Sequence, residues 1–235
     1  MPPNLVAATI RKGLYTRIVG RRLLYYPELP STMDEAARLG EGETDEGAVV
    51  VAEKQTAGRG RQGRSWVSQP GNILVSVLFR PSLETLPFIS IIGGIAAARA
   101  VRKVTGLDIK IKWPNDVRID GLKISGILIE TVMLGAQPEY TIVGIGVNVN
   151  FNPAKYPEIA CIATSLRQVT GRVFDRNQVL TTILMEFEDL YSRVKLGESL
   201  TTKWSEILET LGCKVKVRWQ DSVYEGIAKS VDDNG

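Results

Sequence analysis

Two β-branched runs, GAVVVAEKQ (47–55) and NILVSVLFRP (72–81), flank the segment TAGRGRQGRSW (56–66), which holds three glycines and three arginines. Such runs read as strands, and the segment between them as a flexible loop. This strand–loop–strand arrangement constrains the fold more than any other part of the chain. Gly58, Gly60 and Gly63 satisfy G-x-G-x-x-G, but a dinucleotide fold needs a helix opening on the glycines to receive the pyrophosphate. Here RSWVSQPGN carries a proline and a glycine and leads into another strand, so that fold is excluded. A kinase phosphate loop does lie between strands, yet the sequence has no V-A-I-K, H-R-D or D-F-G. Taken alone, the loop fits a solvated basic surface or phosphate contacts to nucleic acid, although no recognition helix or aromatic platform accompanies it.

Histidine is absent from all 235 residues. Ser-His-Asp and Cys-His catalysis are thereby excluded, as are the usual His-containing zinc sites. Any chemistry runs on Lys, Arg, Asp, Glu, hydroxyls and backbone groups. Cys161 and Cys213 lie far apart without metal-ligand spacing and read as reduced thiols. The net charge of +3 is too mild to argue for nucleic acid by itself. No secretion signal is read at the N-terminus. The longest apolar stretch, LPFISIIGGIAAARAV (86–101), is interrupted by Arg99 and too short to span a bilayer. It predicts a buried helix, no membrane association and a cytoplasmic location.

Elsewhere the first 25 or so residues are basic, and RRLLYY (21–26) predicts a strand. In STMDEAARLG (31–40), Ser31 or Thr32 caps a helix whose first turn carries Asp34 and Glu35, and Gly40 stops it. A short strand, IKIKW (109–113), precedes VRIDGLKISGILIE, where Asp120-Gly121 joins two β-branched runs as a hairpin turn. YTIVGIGVNVN (140–150) is a further strand, 176–194 a helix, and SLTTKWSEIL another. From Cys213 two short alternating runs suggest a small β-module, and Asn234-Gly235 is a turn signal with no return strand, so the module reads as truncated or incomplete.

Three more segments set polar groups among apolar ones: KWPND (112–116), the lone Lys123 in GLKISGILIE, and GIGVNVN with Asn148 and Asn150. Singly these read as a turn, an edge-strand charge and strand-exit residues. Together and in order, STM (31–33), AEKQTAGRGRQGRSW (52–66), KWPNDV (112–117), KISGILIE (123–130) and GIGVNVN (144–150) closely resemble the biotin–protein ligase family. The match runs from about Tyr25 to Asn150 and continues more weakly into the C-terminal strands.

The resemblance implies an α+β fold: a mixed β-sheet backed by helices, as in class II synthetases, in a catalytic part over 1–195. A connecting helix and a partial SH3-like β-module over 196–235 follow. It implies two steps, activation of biotin by ATP to biotinyl-AMP and pyrophosphate, then transfer to a lysine of a biotin carboxyl carrier protein. Bringing a carboxylate against a triphosphate calls for positive charge rather than a histidine base. By resemblance, Lys123, Asp116 and Arg61 are catalytic, with Lys123 at the junction of carboxylate and α-phosphate. Ser31, Thr32 and Gln55 meet the ureido ring, with Gly126 and Leu128 completing that pocket and Met33 also at the biotin site. Gly58, Arg59, Gly60 and Arg61 fold over biotin and its adenylate. The nucleotide falls to Arg61, Arg64, Asn115, Lys123 and Asn148, with Trp66 as an aromatic face for adenine. Asp116 has two roles open to it: drawing a proton from the acceptor lysine, or positioning Lys123 and a metal. ATP implies Mg²⁺, but no carboxylate cluster identifies its ligands.

Met33 departs from the family, in which asparagine is usual after Ser-Thr. Only about 25 residues precede the motifs, too few for the winged helix of bifunctional members, so a ligase that does not bind DNA is expected. A lipoate or octanoate ligase of related fold is the enzymatic alternative, and a nucleic-acid-binding regulator the alternative of another class. Pairing into a homodimer through sheet edges is permitted and not required.

Overall fold

The computed structural model describes residues 5–42, 44–219 and 222–232. Helix α1 (Ala7–Gly13) precedes strand β1 (Leu23–Leu29), helix α2 (Thr32–Gly40) and strand β2 (Val49–Gln55). After the glycine–arginine loop come β3 (Ile73–Phe79), the long helix α3 (Phe88–Thr105), β4 (Lys110–Lys112) and β5 (Asp116–Ile119). Strands β6 (Leu122–Leu134) and β7 (Gln137–Val147) form the longest hairpin, and helices α4 (Leu166–Thr170), α5 (Arg176–Lys195) and α6 (Thr201–Ile207) follow. The chain ends in β8 (Lys214–Trp219) and β9 (Ser222–Ile227).

Local chemistry sets these boundaries. Ser31 caps α2 by accepting the Met33 N–H, and Asp175 caps α5 by accepting that of Asn177. Gly106 ends α3 in the left-handed region at φ 77°, its N–H returning to Arg102 O at 2.8 Å. Asp120 (φ 47°) and Gly121 (φ 77°) turn β5 into β6 as their sequence predicts, both left-handed as a tight hairpin of this type requires. The Asn234-Gly235 signal lies outside the described residues.

The seven strands β1 to β7 form one sheet in the order β1-β2-β3-β7-β6-β5-β4. β1 and β2 run parallel and every other neighbouring pair antiparallel, so the sheet is mixed, as expected. Strict alternation gives it two apolar faces. Val49, Val51, Val75, Val77, Phe79, Val143 and Ile145 join the main core with α3 and α5. Val50, Leu78, Ile142 and Leu128 meet Met33, Ala36 and Leu39 of α2 on the opposite face. α2 has nine residues and covers only part of that face, which leaves a cleft beside it. β6 lies inside the sheet, so Lys123 is not an edge-strand charge.

Behind the sheet, α5 carries polar anchors, most of them buried. Arg176, 1% exposed, forks onto Glu53 of β2 at 2.7 and 3.1 Å and donates to Asn72 O. Glu188 accepts the backbone N–H groups of Arg17, Ile18 and Val19. The hydroxyl of Tyr191 and the ammonium of Lys195 both donate to Glu46. α1, which the basic composition of its segment did not announce, buries Ile10 in the main core. Among the described residues no helix is long and apolar enough to cross a membrane. α6 docks Trp204 onto α3, where a Cβ at Gly94 would lie 2.8 Å from the indole. β8 and β9 pair in a separate two-stranded antiparallel sheet, in keeping with the expected small β-module.

Candidate active site

The uncovered face of the sheet is a cleft enclosing about 500 Å³, counted out to its open mouth. Its floor follows from strand register. Ser76, Gly144 and Leu128 form one cross-strand row, and Leu74, Gly146, Gly126 and Asp116 the next. Three floor positions are therefore glycine, and bulky groups lie directly on the peptide. A Cβ at Gly146 would sit 2.5 Å from the Trp66 indole, and one at Gly144 2.5 Å from Met33 Sδ. At Gly126 it would meet Lys123 Nζ at 2.9 Å and Trp66 at 3.1 Å. Trp66 can lie flat on the sheet only because those side chains are missing.

Lys123 and Asp116 meet at one end of this floor, their charged atoms 2.5 Å apart. The Lys123 ammonium also stands 5.4 Å from the Trp66 ring centroid, within reach of a cation–π contact. Its backbone is clamped by a turn: Lys123 N–H donates to Ile162 O, and Thr164 N–H to Lys123 O, each at 2.9 Å. Asn115 is fixed by exchanging bonds with Ile127, its side-chain amide donating to Ile127 O at 2.7 Å. That turns Asn115 Oδ1 outward, where it accepts from Arg61 at 3.4 Å.

The other end is a relay of uncharged groups. Gln55 Oε1 accepts from the backbone N–H of Thr32 at 2.7 Å and from its hydroxyl at 2.9 Å, while Ser76 donates to Thr32 Oγ1 at 2.8 Å. With its oxygen occupied, Gln55 offers Nε2 as a donor beside Gly58, and Ser31 retains its hydroxyl proton because its oxygen caps α2. Met33 is buried in the apolar cluster beside α2 and closes this end with a thioether. The cleft thus pairs a neutral donor–acceptor pocket with a cationic mouth, joined by an apolar floor.

The glycine–arginine loop folds as a small hairpin across the mouth. Arg59 and Ser65 form a β-bridge, Gly60 N–H donates to Arg64 O at 2.7 Å, and Trp66 N–H to Gly58 O at 2.9 Å. Its tip turns at Gln62 (φ 57°) and Gly63 (φ 72°).

Most of the residues singled out in the sequence line this one cleft: Ser31, Thr32, Met33, Gln55, Arg59, Gly60, Arg61, Trp66, Asn115, Lys123, Gly126 and Leu128. Asp116 joins them through Lys123. Gly58 and Arg64 hold the loop's internal bonds and do not line it. Asn148 lies away from the lining; its amide donates to Thr164 O at 3.1 Å and so braces the turn that clamps Lys123. The glycines of GIGVNVN, the wall residues Leu74 and Ile127, and the turn at 159–164 were not anticipated. GIGVNVN did carry a signal, in its two small residues two apart on a strand, but its asparagines drew the attention. Among the described residues no three His, Cys, Asp or Glu side chains gather as a metal site.

The cleft brings together a glycine floor, a Lys–Asp pair and the glycine–arginine hairpin. The description "Biotin/lipoate A/B protein ligase family" matches residues 25–148. The chain belongs to this family. A bifunctional ligase/repressor BirA from Bacillus subtilis is 37% identical over 240 residues, covering 100% of this chain and 74% of that protein. A biotin–acetyl-CoA-carboxylase ligase from Mycobacterium tuberculosis is 33% identical over 213 residues, covering 86% and 76%. The fold is similar to that of the biotin protein ligase from Aquifex aeolicus in complex with biotin and ATP, with a TM-score of 0.78 and 32% identity, over 91% of this chain and 89% of that one. The family match ends at residue 148, close to where the last floor strand, β7, ends at Val147.

Proposed function

We propose that the chain is a biotin–protein ligase, which forms biotinyl-AMP from biotin and ATP and passes the biotinyl group to a lysine of a carrier protein. The observation that carries this reading is the pairing, in one cleft, of Lys123–Asp116 with the Ser31–Thr32–Gln55 relay, in a chain 37% identical to a named ligase. A ureido ring is a flat, neutral group with donors and an acceptor, and suits the relay end. Met33 and Leu128 offer apolar surface to the thiophane ring.

In the first step a biotin carboxylate oxygen attacks the α-phosphorus of ATP, and the bond to the β-phosphate oxygen breaks, releasing pyrophosphate. Negative charge builds on the α-phosphoryl oxygens, where the Lys123 ammonium stabilises it as a point charge. Arg61, held by Asn115, faces the same phosphoryl group. Trp66 offers a π-face to the adenine, and Arg64 adds positive charge for the departing phosphates. In the second step the neutral amine of the acceptor lysine attacks the acyl carbon, AMP leaves, and the amine's surplus proton passes to a carboxylate or to water. Asp116 is the carboxylate in position for this, and in the first step it orients Lys123. Mg²⁺ would arrive with the substrate as MgATP, held by phosphate oxygens and water; among the described residues no acidic donor set gathers for it.

The acceptor is a biotin carboxyl carrier domain of an acetyl-CoA or related carboxylase, supported by the names of two relatives. A cytoplasmic location follows from the need for ATP and newly made carrier protein. The division of the chain at 195/196 is likewise a proposal, with α6 as the joint between the catalytic part and the β-module. ATP–pyrophosphate exchange with biotin, with lipoate or with neither tests the function. Exchange that depends on biotin is the expected result; exchange equal without biotin, or driven by lipoate instead, overturns it.

A further inference from the structure

Arg59, expected to fold over biotin, lines the cleft, and its guanidinium is engaged on two carboxylates. Nη1 meets Asp34 Oδ1 at 2.6 Å, and Nη2 lies 3.3 Å from each oxygen of Glu130. Asp34 belongs to the first turn of α2, one residue after Met33, and Glu130 stands on β6 two residues beyond Leu128. Met33 and Leu128 both line the cleft, and the two carboxylates come from separate elements, α2 and β6. Arg59 joins them through one guanidinium.

We propose that Asp34 and Glu130 are positioning residues that latch the glycine–arginine hairpin shut by holding Arg59 between them. The proposal rests on the ligase reading for what the latch retains, but not for the latch itself. Within the hairpin, the Arg59–Ser65 bridge and the Trp66–Gly58 bond transmit the position of Arg59 to the return strand that carries Trp66. At the tip, the other side-chain tether among the described residues is the 3.4 Å contact from Arg61 to Asn115. Losing Arg59's anchors therefore frees the tip and loosens Trp66 at once. A single exposed ion pair contributes little, because solvent screens it and two long side chains must be ordered. Here one planar guanidinium serves two acids on separate elements, so one ordered side chain closes both contacts. The latch is also reversible: it lies at the surface and yields to salt.

The test compares wild type with Asp34→Asn, Glu130→Gln and the double variant in two arms. In the first, no ligand is added, and tryptic cutting after Arg59, Arg61 or Arg64 is followed by mass spectrometry. The double variant is expected to be cut about three- to tenfold faster, the range two exposed pairs support, with an unchanged unfolding midpoint. Raising salt should accelerate cutting of wild type and leave the double variant unaffected, with a free peptide of residues 56–66 controlling for the protease. Equal cutting of wild type and double variant overturns the latch. In the second arm, biotinyl-AMP formed on the enzyme is chased with excess unlabelled biotin and ATP. Escape should quicken by a similar factor in the double variant, while biotin-dependent exchange at saturating substrate stays near the wild-type rate. Unchanged escape from a readily cut loop overturns the claim that the latch retains the intermediate. Absence of biotin-dependent exchange in wild type overturns the ligase reading instead, and the protease arm still decides the latch.

Discussion

The Lys123 ammonium sits between a carboxylate 2.5 Å away and an indole face, which fixes its position before any substrate arrives. Asp116 keeps the ammonium aimed, and a phosphoryl group that enters the cleft meets a cation already in place. Lys123→Ala should lower the rate of biotin-dependent pyrophosphate exchange by about 10²–10³-fold, the usual loss when one preorganised charge-stabilising donor is removed. Circular dichroism and the unfolding midpoint should stay near wild type, because the turn that clamps Lys123 uses its backbone and not its side chain. A melted Lys123→Ala protein would mean that the side chain is structural. Residue chemistry was also the scale at which the sequence could be read furthest. Ser31, Gln55, Arg61, Asn115 and Lys123 were all found in local motifs, and all five reach the cleft. The partners of Arg59 were not found: Asp34 and Glu130 lie 25 and 71 residues away in sequence, and Asp34 read there only as a first-turn acid of its helix. Such pairings exist only once the sheet has set its register.

Among the elements, the glycine–arginine hairpin and α2 enclose the cleft and respond to different perturbations. In the proposed reaction Arg61, which reaches Asn115 from the loop, faces the phosphoryl group, and its loss should leave the acyl-adenylate formed but poorly held. Arg61→Gly should give continued pyrophosphate release with biotin appearing on lysines of unrelated bystander proteins, read by streptavidin blotting. Labelling confined to the carrier would refute this. In α2, Glu35 accepts both Nε and Nη2 of Arg38 and the hydroxyl of Tyr26. The Arg38 hydrogen bond, aided by Tyr26 and by Arg38's charge and opposed by burial, holds the Glu35 carboxyl below its ordinary value. A carboxyl so lowered contributes stability that is full above the ordinary glutamate pKa of about 4.3 and is lost as pH falls through the folded value. Between pH 7 and pH 3, Glu35→Gln should therefore lose less of its unfolding midpoint than wild type does. Equal losses would show that the α2 contact makes no net contribution. The hairpin turn at Asp120-Gly121 was legible because two adjacent residues determine it. The 159–164 turn was not, since its form depends on Lys123.

For the whole molecule, the sheet separates two tasks: the face towards α2 carries the cleft, and the face towards α3 and α5 carries the main core. The mixed sheet was expected from the resemblance, and its strand order places β6 and β7, which supply the glycine floor, at its centre. Local sequence hints at that floor only through the two glycines spaced two apart in GIGVNVN, because what a glycine leaves room for is set by the neighbour that lies on it. The Arg176–Glu53 fork ties the start of α5 to β2, 123 residues earlier. Arg176→Leu would leave Glu53 buried without its charge partner, and loss of one half of such a pair costs about 3–5 kcal/mol. Urea unfolding should show that loss as a lower midpoint with a similar slope; a change under about 1 kcal/mol would mean that water reaches Glu53 freely.

Taken together, the anchors on α5 bear on how variants of this protein should be sorted. Arg176 holds Glu53, Glu188 the 17–19 stretch, and Tyr191 with Lys195 holds Glu46, and none of the four lines the cleft. A growth screen at one warm temperature would score substitutions there as inactive, alongside true losses of chemistry. Repeating the screen in the cold separates the two groups: α5 defects recover as the folded fraction rises, and defects at Lys123 do not.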